Sequence, residues 1–158
     1  MKQQGMSMWT LPFIPLFLRL VVGIIFLYAG VVKIADPLGF AQALYNYRLL
    51  PAWTINPLAI ILPWLELVVG GSLVLGIWTL GAGVVASLLF AVFAGALGVN
   101  LIRGLDISCG CFSTATTASP ITWLHLAGDL VLLGMGVAIC LFDQGMLSLD
   151  RLFRKRSR

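Results

Sequence analysis

The sequence predicts an all-α membrane protein: a bundle of four transmembrane helices with one short amphipathic helix at the membrane surface. Of its 158 residues, 60% are apolar and only 10% are charged, whereas soluble domains carry about 25% charged residues. The chain also contains four apolar runs of at least 22 residues each. A helix of that length crosses a hydrocarbon core of ~30 Å at ~1.5 Å per residue. We therefore treat the whole chain as one membrane domain.

The four predicted spans are residues 11–35, 57–78, 80–102 and 121–142. Charged side chains inside a membrane are costly, so they are expected to face the bundle interior and to pair. Arg19 in the first span and Glu66 in the second come to similar depths when 1.5 Å is counted per residue. We expect a buried Arg19–Glu66 pair, with Asp129 of the fourth span as a candidate third member. Its role, structural or functional, stays open.

Basic residues predict the orientation of the bundle, because they accumulate on the cytoplasmic side. The tail of residues 143–158 holds most of the surplus positive charge, and Lys2 adds to it at the N-terminus. The other side has only Lys33, Arg48 and Arg103. We expect both termini in the cytoplasm, the loop 103–120 outside, and no cleaved signal peptide. The charge does not indicate nucleic acid, since it is concentrated in a tail suited to anionic lipid or to setting topology.

The first outer loop contains a predicted helix over residues 37–48. Asp36 can cap its first turn and Pro37 suits the first helical position. Its apolar residues recur at helical spacing, which is typical of a helix lying on the membrane surface. It either roofs the bundle beside the loop 103–120 or simply connects two spans. The aromatic residues expected at the membrane interface are Tyr45, Tyr47 and Trp53.

Small residues predict how the spans pack. Gly83, Ser87, Ala91 and Gly95 recur every fourth position and share one face of the third span. Such a face allows helix backbones to approach closely. The pairs Gly70-Gly71 and Gly134/Gly136 could serve the second and fourth spans in the same way.

The strongest chemical signal is Cys109-Gly110-Cys111 in the outer loop. Cysteines two positions apart can approach disulfide distance, but the small ring is strained, and strained disulfides exchange readily. The pair is therefore a candidate thiol-exchange site in an oxidising compartment. Two alternatives stay open: an inert loop disulfide, or two ligands of a soft metal. The third cysteine, Cys140, lies near the inner end of the fourth span and is expected to be a core residue.

A polar pocket is predicted beneath the cysteines. His125 and Asp129 are four residues apart and share a helix face. Asn100 and Arg103 end the third span at the same level. His125 could move protons between a thiol and a quinone, or it could simply hydrogen-bond to loop backbone.

Several segments together resemble the DoxX/MauE family of four-span membrane proteins. The residues that carry the likeness are Arg19-Leu20-Val21-Val22-Gly23 with Phe26, Gly30 and Lys33, Asp36-Pro37-Leu38-Gly39-Phe40-Ala41, Leu49-Leu50-Pro51, Pro63-Trp64-Leu65-Glu66 with Gly70-Gly71, and Cys109-Gly110-Cys111-Phe112. Two positions depart from the family pattern: Ser113 replaces a glycine, and Gly128 replaces a basic residue.

The resemblance implies a redox-associated protein of the bacterial inner membrane, linked to disulfide maturation in methylamine utilisation. By analogy, Cys109 and Cys111 would be the redox pair, with Arg19, Glu66 and Asp129 as the intramembrane polar set. We expect a thiol:quinone oxidoreductase, or an accessory protein of one, with His125 as a proton carrier and a quinone held near the outer ends of the second to fourth spans. The candidate cofactor-binding residues are Arg19, Glu66, Asn100, Arg103 and Asp129. Its partner would be a thioredoxin-like periplasmic protein or a secreted thiol client. A non-catalytic maturation partner and a soft-metal handler are the alternatives.

Overall fold

A computed structural model describes residues 13–104 and 122–142, and within these two stretches the protein forms five α-helices. They are α1 (Phe13–Ala35), α2 (Pro37–Asn46), α3 (Ala52–Leu75), α4 (Thr79–Ile102) and α5 (Trp123–Phe142). Four of them, all except α2, are long and apolar enough to cross a membrane. The predicted class, a helical protein that passes through the membrane several times, is confirmed.

The helix α3 begins five residues before the apolar run that predicted it. Its first turn closes on Pro51, whose carbonyl oxygen accepts the Thr54 N–H at 3.0 Å and the Thr54 hydroxyl at 2.8 Å. The helix ends at Gly76, which has a φ of 72°. Glycine adopts this left-handed conformation without the strain that a Cβ would bring. Hydropathy located the span, whereas local hydrogen bonds decide where the helix begins and ends.

The helices α1 and α3 pack against each other at backbone contact. A Cβ placed on Gly23 would lie 3.0 Å from the carbonyl oxygen of Gly70, and one on Gly70 would lie 2.8 Å from that of Gly23. Two turns further along α1, a Cβ on Gly30 would lie 2.9 Å from the carbonyl oxygen of Pro63. The two helices are therefore antiparallel with a fixed register. Of the predicted Gly70-Gly71 pair, only Gly70 makes this contact, since a Cβ on Gly71 would meet nothing within 4 Å.

The small-residue face of α4 is divided between two uses. Its first half packs on α5: a Cβ on Gly83 would lie 3.1 Å from the Cys140 sulfur, and one on Gly136 would lie 2.7 Å from the Ser87 hydroxyl. Its second half, Ala91 and Gly95, is exposed. Close packing through small residues therefore operates over half of the predicted face.

The short helix α2 forms as predicted and covers one end of the bundle. The Asp36 side chain caps it by accepting the Gly39 N–H at 2.9 Å. Its inward face buries Phe40 and Ala43, and Tyr47, which follows the helix, packs with Leu97 of α4. The segment is therefore a packed part of the bundle, in contact with α3 and α1, and not a plain connector; most of the loop 103–120, beside which it was expected to lie, falls outside the described residues. Tyr47 was expected at the membrane interface, but it is buried, because the chain turns inward there to cover α4.

The four long helices form a ring in which each contacts its two neighbours. The helix α1 packs on α3 and α5, and α4 packs on the same two. Across the centre, the rings of Phe26 and Phe90 meet edge to face with centroids 4.9 Å apart. At one end of this bundle α1 finishes, α2 lies across, and α5 begins; we refer to it as the α2 end.

Candidate functional site

A buried ion pair joins α1 to α3. The Lys33 ammonium nitrogen lies 2.5 Å from Oε1 of Glu66, and each residue is only 2% exposed. The same nitrogen is 5.1 Å from the ring centroids of both Phe40 and Phe93. The two rings provide cation–π contacts on top of the ion pair. Lys33 is thus enclosed by three different helices, with α2 supplying Phe40 and α4 supplying Phe93.

The predicted Arg19–Glu66 pair is wrong, because Glu66 pairs with Lys33 instead. The register set by Gly23 and Gly70 places Arg19 beyond the level of Val74, eight residues past Glu66. Eight residues of helix correspond to about 12 Å. Arg19 is also buried, at 3% exposure, but it lies nearer the opposite end of the bundle. Arg19 lies deeper toward that end than expected because α1 extends past the end of α3 there.

Lys33, expected only as a positive charge that flanks the outer loop, is a site residue that the sequence did not predict. A signal was available, because Lys33 precedes the helix-starting Asp36 by almost a full turn and therefore still belongs to the span. Side chains on a helix also point back toward its N-terminus. For Lys33 that direction leads into the bundle, where Glu66 lies.

Asp129 of α5 lines the same small cavity as this ion pair. The cavity has a volume of about 30 Å³ and is lined by Lys33, Glu66 and Asp129 together with apolar side chains of α1 and α4. Asp129 is 7% exposed. Two oxygens in this set, Oε2 of Glu66 and Oδ2 of Asp129, are buried without a hydrogen-bond partner. The expectation that Asp129 accompanies Glu66 thus agrees with the geometry, and we call this space the polar cavity.

A second, larger cavity of about 500 Å³ lies between α2, α3 and α4 toward the α2 end. Its lining is almost entirely apolar and includes Leu58 and Leu62 of α3 and the exposed Ala91 and Gly95 of α4. Phe93 lines both this apolar cavity and the polar cavity. Phe40 also lines the apolar cavity, so the two rings that contact the Lys33 ammonium, Phe40 and Phe93, both border the apolar space.

The other predicted site residues lie at the α2 end but do not form one hydrogen-bonded group. Asn100 is fully buried and its side-chain NH2 donates to the Ala96 carbonyl at 2.9 Å. Arg103 follows α4 and is exposed. His125 is half-buried, and its Nδ1 accepts the Thr122 N–H at 3.3 Å. Within the described residues, 13–104 and 122–142, no hydrogen bond connects these three side chains: Asn100 and His125 bond within their own helix or helix start, and Arg103 is exposed.

Cys109 and Cys111, with the rest of the loop that holds them, fall outside the described residues. The chain leaves α4 at Gly104 and is described again from Thr122, and both points are at the α2 end. Cys140 is half-buried in α5 beside Gly83, near the opposite end. In the two described stretches no three His, Cys, Asp or Glu residues are grouped so that they could hold a metal ion.

The fold and the buried charges define a polytopic helical membrane protein with an ion pair buried between its spans. The family model described as methylamine utilisation protein MauE matches residues 11–142. The chain belongs to this family. It is 34% identical over 134 residues to the methylamine utilization protein MauE of Methylophilus methylotrophus, covering 84% of this chain and 70% of that protein.

Two further relatives carry the same name. The protein of Paracoccus denitrificans is 33% identical over 137 residues, covering 86% of this chain and 69% of that one. The protein of Methylorubrum extorquens is 31% identical over 136 residues, covering 84% and 73%. No solved structure matches the chain.

Proposed function

We propose that this protein is a membrane maturation factor for methylamine utilisation that exchanges disulfides through Cys109 and Cys111. Its thiol partner is an outward-facing thioredoxin-like protein or a secreted client, and its electron acceptor is a quinone. Membership of the MauE family supports the maturation role. The dithiol and the apolar cavity support the chemistry.

The apolar cavity is the observation that carries the quinone assignment. Its volume of about 500 Å³ falls within the ~300–1,000 Å³ that is typical of small-molecule sites. An apolar lining suits a ring with an isoprenoid tail, and such a molecule reaches the cavity from the surrounding lipid. The cavity lies toward the α2 end, where Gly104 and Thr122 bracket the cysteine segment. The two ends of the segment that holds the dithiol therefore lie in the same half of the bundle as the cavity.

The proposed reaction balances without any further reactant. Converting the thiols of Cys109 and Cys111 to a disulfide breaks two S–H bonds, forms one S–S bond, and releases two electrons and two protons. Reducing a quinone to a quinol takes up two electrons and two protons. The new disulfide then passes to a client dithiol by thiol–disulfide exchange through a mixed disulfide, which returns Cys109 and Cys111 to thiols. The net result is client oxidation coupled to quinone reduction.

The disulfide step is tested by trapping and labelling. In a Cys140→Ala background, which leaves only the two loop cysteines, a membrane-impermeant thiol reagent should label spheroplasts from outside after reduction. Cys109→Ser or Cys111→Ser should each leave one thiol that forms a mixed disulfide with the client. Labelling only from the cytoplasmic side would contradict the proposed orientation. Maturation that survives the double Ser substitution would leave a non-catalytic role in maturation.

The quinone step is tested by filling the apolar cavity. Gly95 lines it, and a Cβ added there meets nothing within 4 Å, so Gly95→Leu should fold and occupy the ligand space. Gly98→Leu is the matched control, because Gly98 has equal room and is not among the cavity-lining residues. The added Leu side chain takes space that a bound quinone would fill, and overpacking of this kind costs about 1–3 kcal/mol, or roughly 5- to 150-fold in affinity. Quinone co-purification should fall by that factor in Gly95→Leu alone, and equal quinone content in both variants would refute the site.

A further inference from the structure

The polar cavity brings together one basic and two acidic side chains away from solvent. Lys33 and Glu66 are each 2% exposed and Asp129 is 7% exposed, and all three line the same space of about 30 Å³. We infer that this cavity binds one proton, held between the carboxyl groups of Glu66 and Asp129. The protonated set carries no net charge.

The first reason is charge balance. Lys33 and Glu66 neutralise each other through their ion pair, which leaves the Asp129 carboxyl uncompensated. A lone ionised carboxylate in a membrane interior is strongly disfavoured, and such a group takes up a proton instead. One proton for the three side chains removes the excess charge.

The second reason is hydrogen bonding. Oε2 of Glu66 and Oδ2 of Asp129 are both buried and both lack a donor. A carboxylic acid supplies an O–H donor that an ionised carboxylate does not have. A space of about 30 Å³ also holds one water molecule, which needs about 10–15 Å³. A proton shared through such a water satisfies both oxygens.

The neighbouring charges leave this requirement in place. The basic side chains near Asp129 are Lys33, which lines the same cavity, and His125, one helical turn earlier on α5; Lys33 is already paired with Glu66. Nδ1 of His125 lies 3.3 Å from the Thr122 backbone nitrogen and 2.8 Å from the Thr122 hydroxyl, so the ring is held at the first turn of α5, toward the α2 end. The helix α4 contributes the rings of Phe90 and Phe93 to the cavity. Arg19, also on α1, lies about two helical turns away toward the opposite end.

Infrared spectroscopy counts the bound protons directly. The carbonyl stretch of a protonated carboxyl group is separate from carboxylate bands and shifts in D2O. The chain has six Asp and Glu residues, and those in water are ionised at neutral pH. The purified wild-type protein in nanodiscs at neutral pH should therefore show the band of one protonated carboxyl group.

Substitutions change that count in a defined way. Asp129→Asn and Glu66→Gln should each abolish the band, because the remaining acid is then balanced by Lys33. Lys33→Met should double it, because both acids must then be neutral. Lys33→Met combined with Glu66→Gln should return it to the wild-type intensity. His125→Gln should leave it unchanged.

The outcome is independent of the proposed disulfide chemistry, since a Cys109→Ser/Cys111→Ser variant should keep the band. Circular dichroism checks that each variant is folded, and the two single acid substitutions provide independent readings if one fails to fold. A wild-type spectrum without a protonated-carboxyl band would overturn the inference. So would a band that persists in both single acid variants.

Discussion

Replacing Lys33 by Met should make the stability of the protein depend more steeply on pH. Methionine has a similar length, and its sulfur packs well against aromatic rings such as Phe40 and Phe93. The substitution therefore removes the charge while retaining most of the packing. Without that charge, Glu66 and Asp129 must both be protonated in the folded state, one proton more than in the wild type.

The magnitude follows from the extra proton. A carboxyl group in water ionises near pH 4, so binding a proton at pH 7 costs about 4 kcal/mol, at about 1.4 kcal/mol per pH unit. The folded variant binds more protons than the folded wild type, so its relative stability falls as pH rises. The free energy of unfolding of Lys33→Met should therefore be lower than that of the wild type by about 4 kcal/mol at pH 7 and by roughly 1–1.5 kcal/mol at pH 5. A packing contribution that does not depend on pH adds to both values.

Reversible unfolding in mixed detergent micelles at pH 5, 6 and 7 measures this difference. The matched control is Lys33→Met combined with Glu66→Gln, which binds the same number of protons as the wild type. Its free energy of unfolding should therefore change with pH in the same way as that of the wild type. A deficit of Lys33→Met that stays constant from pH 5 to pH 7 would refute the reasoning. Lys33 would then contribute only packing and cation–π contacts.

Three further predictions concern the fold and are measured by the same unfolding assay. Gly70→Ala should cost about 1–3 kcal/mol, because its Cβ would lie 2.8 Å from the Gly23 carbonyl oxygen; Gly71→Ala, with open space around it, is the control and should be neutral or slightly stabilising. Gly76→Ala should cost about 1 kcal/mol, since its φ of 72° is strained for a residue with a Cβ; a free energy of unfolding as high as that of Gly71→Ala would contradict this. Asp36→Ala should cost about 1 kcal/mol by removing the cap of α2, while Asp36→Asn, which can still cap, should retain most of the stability.

The sequence was sufficient for the class of fold and for most helix boundaries. Apolar runs long enough to cross a bilayer depend on local composition, and so does the capped start of α2 at Asp36. The predicted small-residue face of α4 was half right. A sequence pattern shows that close approach is allowed, whereas the neighbouring helix decides where it occurs. Gly83 and Ser87 meet α5, while Ala91 and Gly95 border the apolar cavity.

Glu66 and Asp129 show which features of the site could be predicted from the sequence and which depend on the packing of the helices. Hydropathy and the cost of charge in lipid determined from the sequence alone that Glu66 and Asp129 must face the interior, and both do. Their basic partner could not be found that way, because it depends on how far α1 slides along α3. That register is decided by the backbone contact of Gly23 with Gly70, which brings Lys33 rather than Arg19 to Glu66. A shift of a few residues along the helix axis moves a side chain by several ångströms, and only the packed structure specifies it.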